Sequence, residues 1–309
     1  MQPDAASPSK SAPLVSGTGF VLLAAMLWGT TGTAQAFAPA GFDSTVIGGL
    51  RLTLGGLALL GLAQVRGHLG SLRGWPLWPT FCAALFTAAY QLCFFAAVAK
   101  TGVAVGTIVG IGSSPIAAGI LGFLFRGERP GRLWSCATLL AIGGCALLSL
   151  SGGAVAVDPL GIALAIGAGC AYAAYTLVLK GLLAGRSPDA VIAVIFCLGA
   201  LLLAPLLLGR EFAWLAEPRG VAVILHLGLV TAGLAYWLFA RGLQSIPVST
   251  AVTLSLAEPL TAGLLGVVVL GEILTPPAFA GIALIFAGLL LLTLGGRRLR
   301  RRPAVTPVC

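Results

Sequence analysis

A sixteen-residue phrase occurs twice in this chain of 309 residues. The copies, SSPIAAGILGFLFRGE at 113–128 and AEPLTAGLLGVVVLGE at 257–272, share the frame P-x-x-A-G-x-L-G-x-x-x-x-G-E and lie 144 positions apart. The same offset relates residues far outside the phrase, for example Trp28 and Tyr172. The chain is therefore expected to contain two copies of one structural unit.

The amino-acid composition indicates whether this chain is surrounded by water or by lipid. Only 9% of the residues are charged and 58% are hydrophobic, whereas a soluble globular chain carries roughly 25% charged residues. Too few charged side chains are present to cover a water-exposed surface. The sequence therefore predicts an integral membrane protein with the lipid bilayer as its surroundings.

The apolar runs predict ten transmembrane helices. A helix needs about 20 mostly apolar residues to cross the hydrocarbon core of a bilayer. Runs of this length are separated by short segments rich in Pro, Gly and charge, which leave no room for a soluble domain. The predicted spans are 16–38, 45–65, 77–99, 103–125, 131–150, 157–180, 188–208, 219–242, 247–270 and 276–294.

The repeat divides the ten spans into two units of five. The expected organisation is a disordered cytoplasmic tail at 1–15, a first repeat at 16–150, a second repeat at 157–294 and a basic cytoplasmic tail at 295–309. Because five crossings are an odd number, the second copy enters the membrane from the opposite side and the repeats are inverted. Inverted repeats are typical of secondary transporters, whose binding site lies near the midplane between the halves.

The basic residues predict the orientation. If the N-terminus is cytoplasmic, 14 of the 18 Lys and Arg residues fall on the cytoplasmic side, as the positive-inside rule requires. The other four, Arg51, Lys100, Arg210 and Arg219, are then placed outside. Both termini are expected in the cytoplasm, and the net charge of +9 is explained by this bias rather than by nucleic-acid binding.

Glu258 is the one acidic residue placed well inside a predicted span. A charge at the bilayer centre costs about 2.5–3.5 kcal/mol on insertion scales, and no Lys or Arg is expected within the membrane to pair with it. Either Glu258 faces a cavity, where it binds an ammonium group or exchanges a proton, or it bonds to backbone that the Pro259 kink has freed. Its repeat mate is the neutral Ser114. Pro115 and Pro259 are predicted as hinges, with static bends as the alternative.

Helical spacing gathers further polar and aromatic side chains on single faces of several spans. Together they predict a pocket with aromatic walls, which suits an amphipathic organic molecule. No fixed positive charge is expected in this pocket, so phosphorylated substrates are not expected. The predicted substrate-binding residues are Trp28, Thr31, Tyr90, Gln91, Phe94, Ser114, Tyr172, Tyr175, Trp237 and Glu258.

The paired phrases SPIAAGILGFLFRGE and EPLTAGLLGVVVLGE, with AMLWGTTG at 25–32, resemble the EamA family of the drug/metabolite transporter superfamily. The resemblance covers residues 16–294. It implies ten helices in two inverted halves, a shared central cavity and alternating access, with many relatives exporting small metabolites across the bacterial inner membrane. A looser similarity, carried by LFTAAYQLCFFAAVA and GAGCAYAAYTLVLK, links the chain to the YddG-type exporters of aromatic and neutral amino acids.

The resulting expectation is a transporter of small neutral or zwitterionic metabolites, foremost aromatic or hydrophobic amino acids. The alternative is a multidrug or quaternary-cation exporter of the same fold, in which Glu258 would bind the cation. An enzyme is not expected, because the chain has two distant histidines and no nucleophile–base motif. No cysteine or histidine spacing predicts a metal site, no cofactor is expected, and the protein is expected to be a monomer or homodimer.

Overall fold

A computed structural model describes residues 16–41, 43–69, 74–150, 158–271 and 275–300, and every regular element in these ranges is helical. Short 3₁₀ turns lie at Ala204–Leu207 and Ala213–Ala216, and a π-helical segment, His226–Leu234, joins two of the helices. The helices are α1 (Gly17–Ala36), α2 (Ser44–Val65), α3 (Leu77–Arg126), α4 (Arg132–Leu150), α5 (Pro159–Leu182), α6 (Pro188–Leu203), α7 (Pro218–Leu225), α8 (Ala235–Leu243), α9 (Val248–Leu254), α10 (Ala257–Leu270) and α11 (Pro276–Arg300).

Within the described ranges, eight helical segments are long and apolar enough to cross a membrane: Val46–Val65, Leu77–Phe94, Val109–Arg126, Pro159–Leu182, Pro188–Leu207, Pro218–Leu243, Val248–Leu270 and Pro276–Leu294. Two further predicted spans are present as helices. Helix α1 is less apolar than these eight, and the apolar part of α4, Arg132–Leu147, is shorter. The all-helical membrane fold is confirmed, and the count of ten crossings stays a prediction.

Helix α3 contains both the third and the fourth predicted spans. Its helical backbone continues through 100–102, where a non-helical connection was expected. A methyl group placed on Gly110 would nevertheless lie 3.6 Å from Cδ2 of Phe94, although sixteen residues of straight helix would separate the two by about 24 Å. The chain therefore turns back on itself between Phe94 and Gly110, and the two spans form a hairpin.

Helix α1 runs parallel to α9 and α10 of the second repeat. A methyl group placed on Gly17, at the start of α1, would lie 3.3 Å from Cγ2 of Ile246. Gly29, three turns later, meets the side chain of Thr261 and the carbonyl oxygen of Glu258. Residue numbers thus increase in the same direction along both elements.

Helix α5, the repeat mate of α1, runs antiparallel to α9. The Nζ atom of Lys180, near the end of α5, donates to the carbonyl oxygen of Ile246. The hydroxyl of Tyr172, two turns earlier in α5, lies 2.9 Å from Oγ of Ser255 at the far end of α9. Since α1 is parallel to α9 and α5 is antiparallel to it, the two mates point in opposite directions, as inverted copies require.

The repeated phrase contains a helix-termination device. Gly127 and Gly271 end α3 and α10 with positive φ angles of 63° and 71°. Their backbone N–H groups donate to the carbonyl oxygens of Gly122 and Gly266, respectively. Glycine adopts this left-handed conformation without the steric cost that a Cβ atom would add, which explains the shared G-x-x-x-x-G spacing.

The glutamate that closes the first copy joins the two repeats. The carboxylate of Glu128 accepts hydrogen bonds from the backbone N–H groups of Val248 (2.8 Å) and Ser249 (3.2 Å), and from the Ser249 hydroxyl. A methyl group on Gly122 would lie 2.6 Å from this carboxylate. Glu128 therefore caps α9, and the glycine leaves room for it. Its mate Glu272 lies outside the described residues.

Small residues let other helices approach to backbone contact. Between α4 and α11, a methyl group on Gly144 would lie 2.5 Å from the carbonyl oxygen of Gly281 and 2.7 Å from the backbone nitrogen of Ile285. One on Gly288 would lie 2.6 Å from the carbonyl oxygen of Ala137. These positions exclude any larger residue unless the two helices separate.

We predict that Gly144→Ala lowers the free energy of unfolding by about 1–3 kcal/mol, because the added methyl group overpacks a backbone contact. The matched control is Gly143→Ala, since that neighbouring position has no atom within 4 Å. The apparent melting temperature of each variant in detergent micelles measures the effect. Equal melting temperatures for the two variants would contradict this packing.

Candidate functional site

The centre of the bundle holds a cluster of aromatic rings from both repeats. Trp28 of α1 and its repeat mate Tyr172 of α5 lie edge to face, with ring centroids 6.4 Å apart. Tyr90 of α3 reaches Tyr172 at 6.0 Å and stacks on Phe94 at 5.7 Å. Because residues related by an inverted repeat can touch only near the axis relating the copies, this cluster marks where the halves meet.

Tyr236 of α8 contacts three other rings of this cluster. Its ring lies 4.8 Å from those of Trp28 and Phe196 and 6.2 Å from that of Tyr175. Such edge-to-face pairs contribute about 0.5–1.5 kcal/mol each beyond the area they bury. Tyr236 is not among the substrate-binding residues predicted from the sequence.

Trp237 itself lies outside this cluster among the described residues. Its ring lies 5.8 Å from the guanidinium of Arg241, one turn further along α8. Adjacent helical residues point about 100° apart, so Tyr236 and Phe239 face the cluster where Trp237 was expected. The π-helical segment before α8 adds residues to the turn and shifts the register that the spacing assumed. The sequence does contain one sign of this face, because Phe239 follows Tyr236 at a spacing of three residues. In the structure Phe239 is buried.

Hydrogen bonds hold two rings of the cluster, and the polar group of a third ring has no partner among the described residues. The Nε1 atom of Trp28 donates to the carbonyl oxygen of Thr231, in the π-helical segment, at 3.0 Å. The Tyr172 hydroxyl pairs with Ser255. The buried hydroxyl of Tyr175 has no partner within the described part of the chain. Unsatisfied buried groups of this kind are uncommon in folded proteins.

The helical backbone is broken just before Pro259 but is continuous at Pro115. The predicted ninth span is broken at Ser255 and Leu256, directly before the second copy of the phrase. Pro259 has no N–H to donate to the carbonyl oxygen of Ser255, and the backbone N–H of Glu258 donates to it instead at 2.9 Å. Pro115 lies inside the continuous helix α3. A hinge role for either proline stays a prediction.

Three other predicted substrate-binding residues, Ser114, Gln91 and Thr31, differ in their hydrogen bonding and burial. The hydroxyl of Ser114 donates to the carbonyl oxygen of Gly110 at 2.8 Å, so the helix itself uses that group. Gln91 is buried on α3 beside Tyr90. Thr31 is partly buried on α1, three residues after Trp28.

The expectation that no basic residue lies well inside a span is wrong for Arg51. Arg51 lies inside the apolar span Val46–Val65, about 10 Å along α2 from its start at Ser44. It is within electrostatic range of Glu258, Tyr90 and Tyr236. Charge counting placed Arg51 at the membrane edge because it considered loops and span ends rather than the depth of the side chain in the bundle.

An open cleft lies beside the cluster, between the last turns of α1 and α10. It is lined by Gly32, one turn after Trp28, and by residues that include Gln35, Ala262 and Gly266. It opens at the end of α1, on the side predicted to be outside. No group of three or more potential metal ligands occurs in the ranges that the structure describes.

The sequence matches the EamA-like transporter family over residues 15–150 and 159–294, once in each repeat. The uncharacterized transporter YwfM of Bacillus subtilis is 46% identical over 280 residues, covering 90% of this chain and 94% of that protein. A probable terminal-alkyne amino-acid exporter of Streptantibioticus cattleyicolor is 30% identical, covering 86% and 90%.

Two further comparisons are more limited. The threonine/homoserine exporter RhtA of Escherichia coli is 33% identical over 181 residues, covering 57% of this chain and 59% of that protein. A protein known from its crystal structure superposes with a TM-score of 0.78 at 23% identity, covering 92% of this chain and 98% of the other. This second likeness shows a shared fold.

We predict that Tyr236→Leu lowers the free energy of unfolding by about 1.5–4.5 kcal/mol, since three ring pairs are lost. The neighbouring Trp237→Leu loses one cation–π contact and should cost only about 0.5–1 kcal/mol. Thermal unfolding in detergent compares the two variants. A larger loss for Trp237→Leu would show that the other face of α8 packs into the bundle.

Proposed function

Since the chain belongs to the EamA-like transporter family, we propose that it exports small zwitterionic metabolites, foremost amino acids with aromatic or other apolar side chains. The protein is a membrane transporter and not an enzyme. The proposed direction is outward across the bacterial inner membrane, with both termini in the cytoplasm, and the protein works as a monomer or homodimer.

The observation that carries the proposal is the ring cluster beside a carboxylate. Trp28 and Tyr90 from the first repeat face Tyr172 and Tyr236 from the second. Glu258 lies beside these rings, because its carbonyl oxygen packs against Gly29 and its backbone N–H donates to Ser255, whose hydroxyl pairs with Tyr172. Aromatic walls bind an apolar side chain, and a carboxylate binds an ammonium group.

The orientation of the mates supports alternating access. Helices α1 and α5 point in opposite directions and meet through Trp28 and Tyr172. Two similar halves of opposite orientation can exchange conformations, which converts a cavity open to one side into a cavity open to the other. The rings contact one another in this structure, so a substrate must separate them when it binds.

The relatives support amino acids as the substrate class. Of those compared, one is named as an exporter of threonine and homoserine and one as a probable exporter of a terminal-alkyne amino acid. Their substrates share the α-amino and carboxylate groups and differ in the side chain. For this chain, the aromatic walls favour the apolar side chains.

We predict that Glu258→Gln reduces phenylalanine flux in proteoliposomes about tenfold or more, because an ammonium group loses its charged partner. Expression and melting temperature should be unchanged. The control is Glu217→Gln, a carboxylate that is largely exposed in the loop before α7. Near-normal flux in Glu258→Gln would leave the carboxylate a packing role only.

The quaternary-cation alternative is tested in the same vesicles. We expect labelled phenylalanine to be transported and tetraphenylphosphonium not to be, since the site holds Arg51 as well as Glu258. Transport of tetraphenylphosphonium without phenylalanine would replace the proposed function by the alternative.

A further inference from the structure

Arg51 is a partly buried cation to which the proposed function assigns no ligand. It lies within the apolar span Val46–Val65. Its Nε atom is buried and has no hydrogen-bond partner in the part of the chain that the structure describes. A guanidinium carries five N–H donors and stays protonated at any physiological pH. An arginine held in this state inside a membrane bundle is typical of a binding site for an anionic group.

The packing of α2 directs Arg51 towards the site. Gly55, one turn after Arg51 on the same face of the helix, packs against Ala232 and the carbonyl oxygen of Gly228. These residues belong to the π-helical segment whose Thr231 carbonyl holds the indole of Trp28. The face of α2 that carries Arg51 is therefore packed against the segment that holds Trp28 in the aromatic cluster.

Arg51 and Glu258 are close enough to interact but do not form an ion pair. The carbonyl oxygen of Glu258 lies against Gly29, next to Trp28, and the charges of Arg51 and Glu258 both act on Tyr90 and Tyr236. Among the described residues, the salt bridges all lie elsewhere. Two opposite charges that face one cluster without forming an ion pair can bind the two ends of a group that carries both signs.

Both charges break the symmetry of the repeats. The mate of Arg51 at the offset of 144 is the buried Ile195, and the mate of Glu258 is Ser114. Helices that the two copies would otherwise build alike thus differ at these two positions. Packing alone does not need these charges, because the other copy packs at the same positions with neutral side chains.

We propose that Arg51 binds the carboxylate of the exported amino acid while Glu258 binds its ammonium group, with Tyr90 and Tyr236 beside both. This inference rests on the proposed function and adds the residue that recognises the acid group. A guanidinium can bind a carboxylate through two parallel N–H···O bonds, a geometry that an ammonium side chain does not offer. The same charge repels amines that lack the carboxylate, so Arg51 makes the site selective for amino acids over cations.

The test uses phenylalanine and phenethylamine, which differ by the carboxylate alone, in proteoliposomes of the full chain. Wild-type protein should take up phenylalanine in preference to phenethylamine. Arg51→Gln should reduce phenylalanine uptake by about tenfold or more, the effect of losing a charge-assisted pair, and should bring the two uptakes to within about twofold of each other. Arg51→Lys should fall between wild type and Arg51→Gln, because it keeps the charge without the bidentate geometry.

Arg219→Gln is the matched control, since Arg219 is an exposed arginine at the start of α7. It should leave both uptakes unchanged. The melting temperature of each variant with and without 3-phenylpropionate, which keeps the carboxylate and lacks the ammonium group, reports acid binding directly in protein that has remained folded. Only variants with intact Arg51 should be stabilised by it.

The outcomes distinguish a failure of the Arg51 role from a failure of the proposed amino-acid export. If wild-type protein transports phenylalanine and Arg51→Gln keeps the wild-type preference over phenethylamine, the role of Arg51 is wrong and the proposed function stands. If wild-type protein transports phenethylamine but not phenylalanine, the proposed function fails and the Arg51 inference fails with it. Stabilisation of Arg51→Gln by 3-phenylpropionate equal to that of wild type would also overturn the role of Arg51.

Discussion

The contact between Trp28 and Tyr172 follows from one constraint of the bilayer. A lipid-embedded backbone must satisfy its hydrogen bonds within helices, and a duplicated unit has its second copy inverted if each copy crosses the bilayer an odd number of times. Two inverted copies share an axis in the membrane plane, and residues near that axis meet their own mates. The pair of rings marks this axis, and the other site residues are arranged around it.

The site itself is built from departures from that symmetry. Arg51 and Glu258 replace the neutral residues that the other copy carries at these positions. The π-helical segment and the break at Ser255 occur in the second repeat, where they bring the Thr231 carbonyl and the Ser255 hydroxyl to the rings of Trp28 and Tyr172. The duplicated helices supply the scaffold, and a few asymmetric residues supply the chemistry that distinguishes one solute from another.

Those parts of the site that depend on the repeat and on helical spacing could be predicted from the sequence. The offset of 144 indicated two copies, and regular spacing placed Trp28, Tyr90 and Tyr172 on facing surfaces. Tyr236 was missed because a π-helical turn changes the register by a fraction of a turn, and no periodicity in the sequence reports that. Arg51 was misplaced because a count of basic residues on two sides assigns each to a loop and ignores how deep a long side chain lies.

Other features needed the tertiary contacts. The hairpin within α3 has no Pro or turn sequence to mark it beyond the short segment at 100–102. Glu128 was a conspicuous part of the repeated phrase, yet its role as a cap on α9 depends on where the second repeat places Val248. Contacts between the halves decide such roles, and a single copy of the phrase contains no information about them.

The account depends most on the opposite orientation of the two repeats, and labelling of matched cysteines tests it directly. Ala40 and Ala184 are repeat mates, and both are exposed in the turns that follow α1 and α5. Each would be replaced by cysteine in a chain whose native cysteines are removed, and treated with a membrane-impermeant maleimide in right-side-out and inverted vesicles. The account predicts that Ala40→Cys reacts from outside and Ala184→Cys from the cytoplasmic side. Reaction of both from the same side would contradict it.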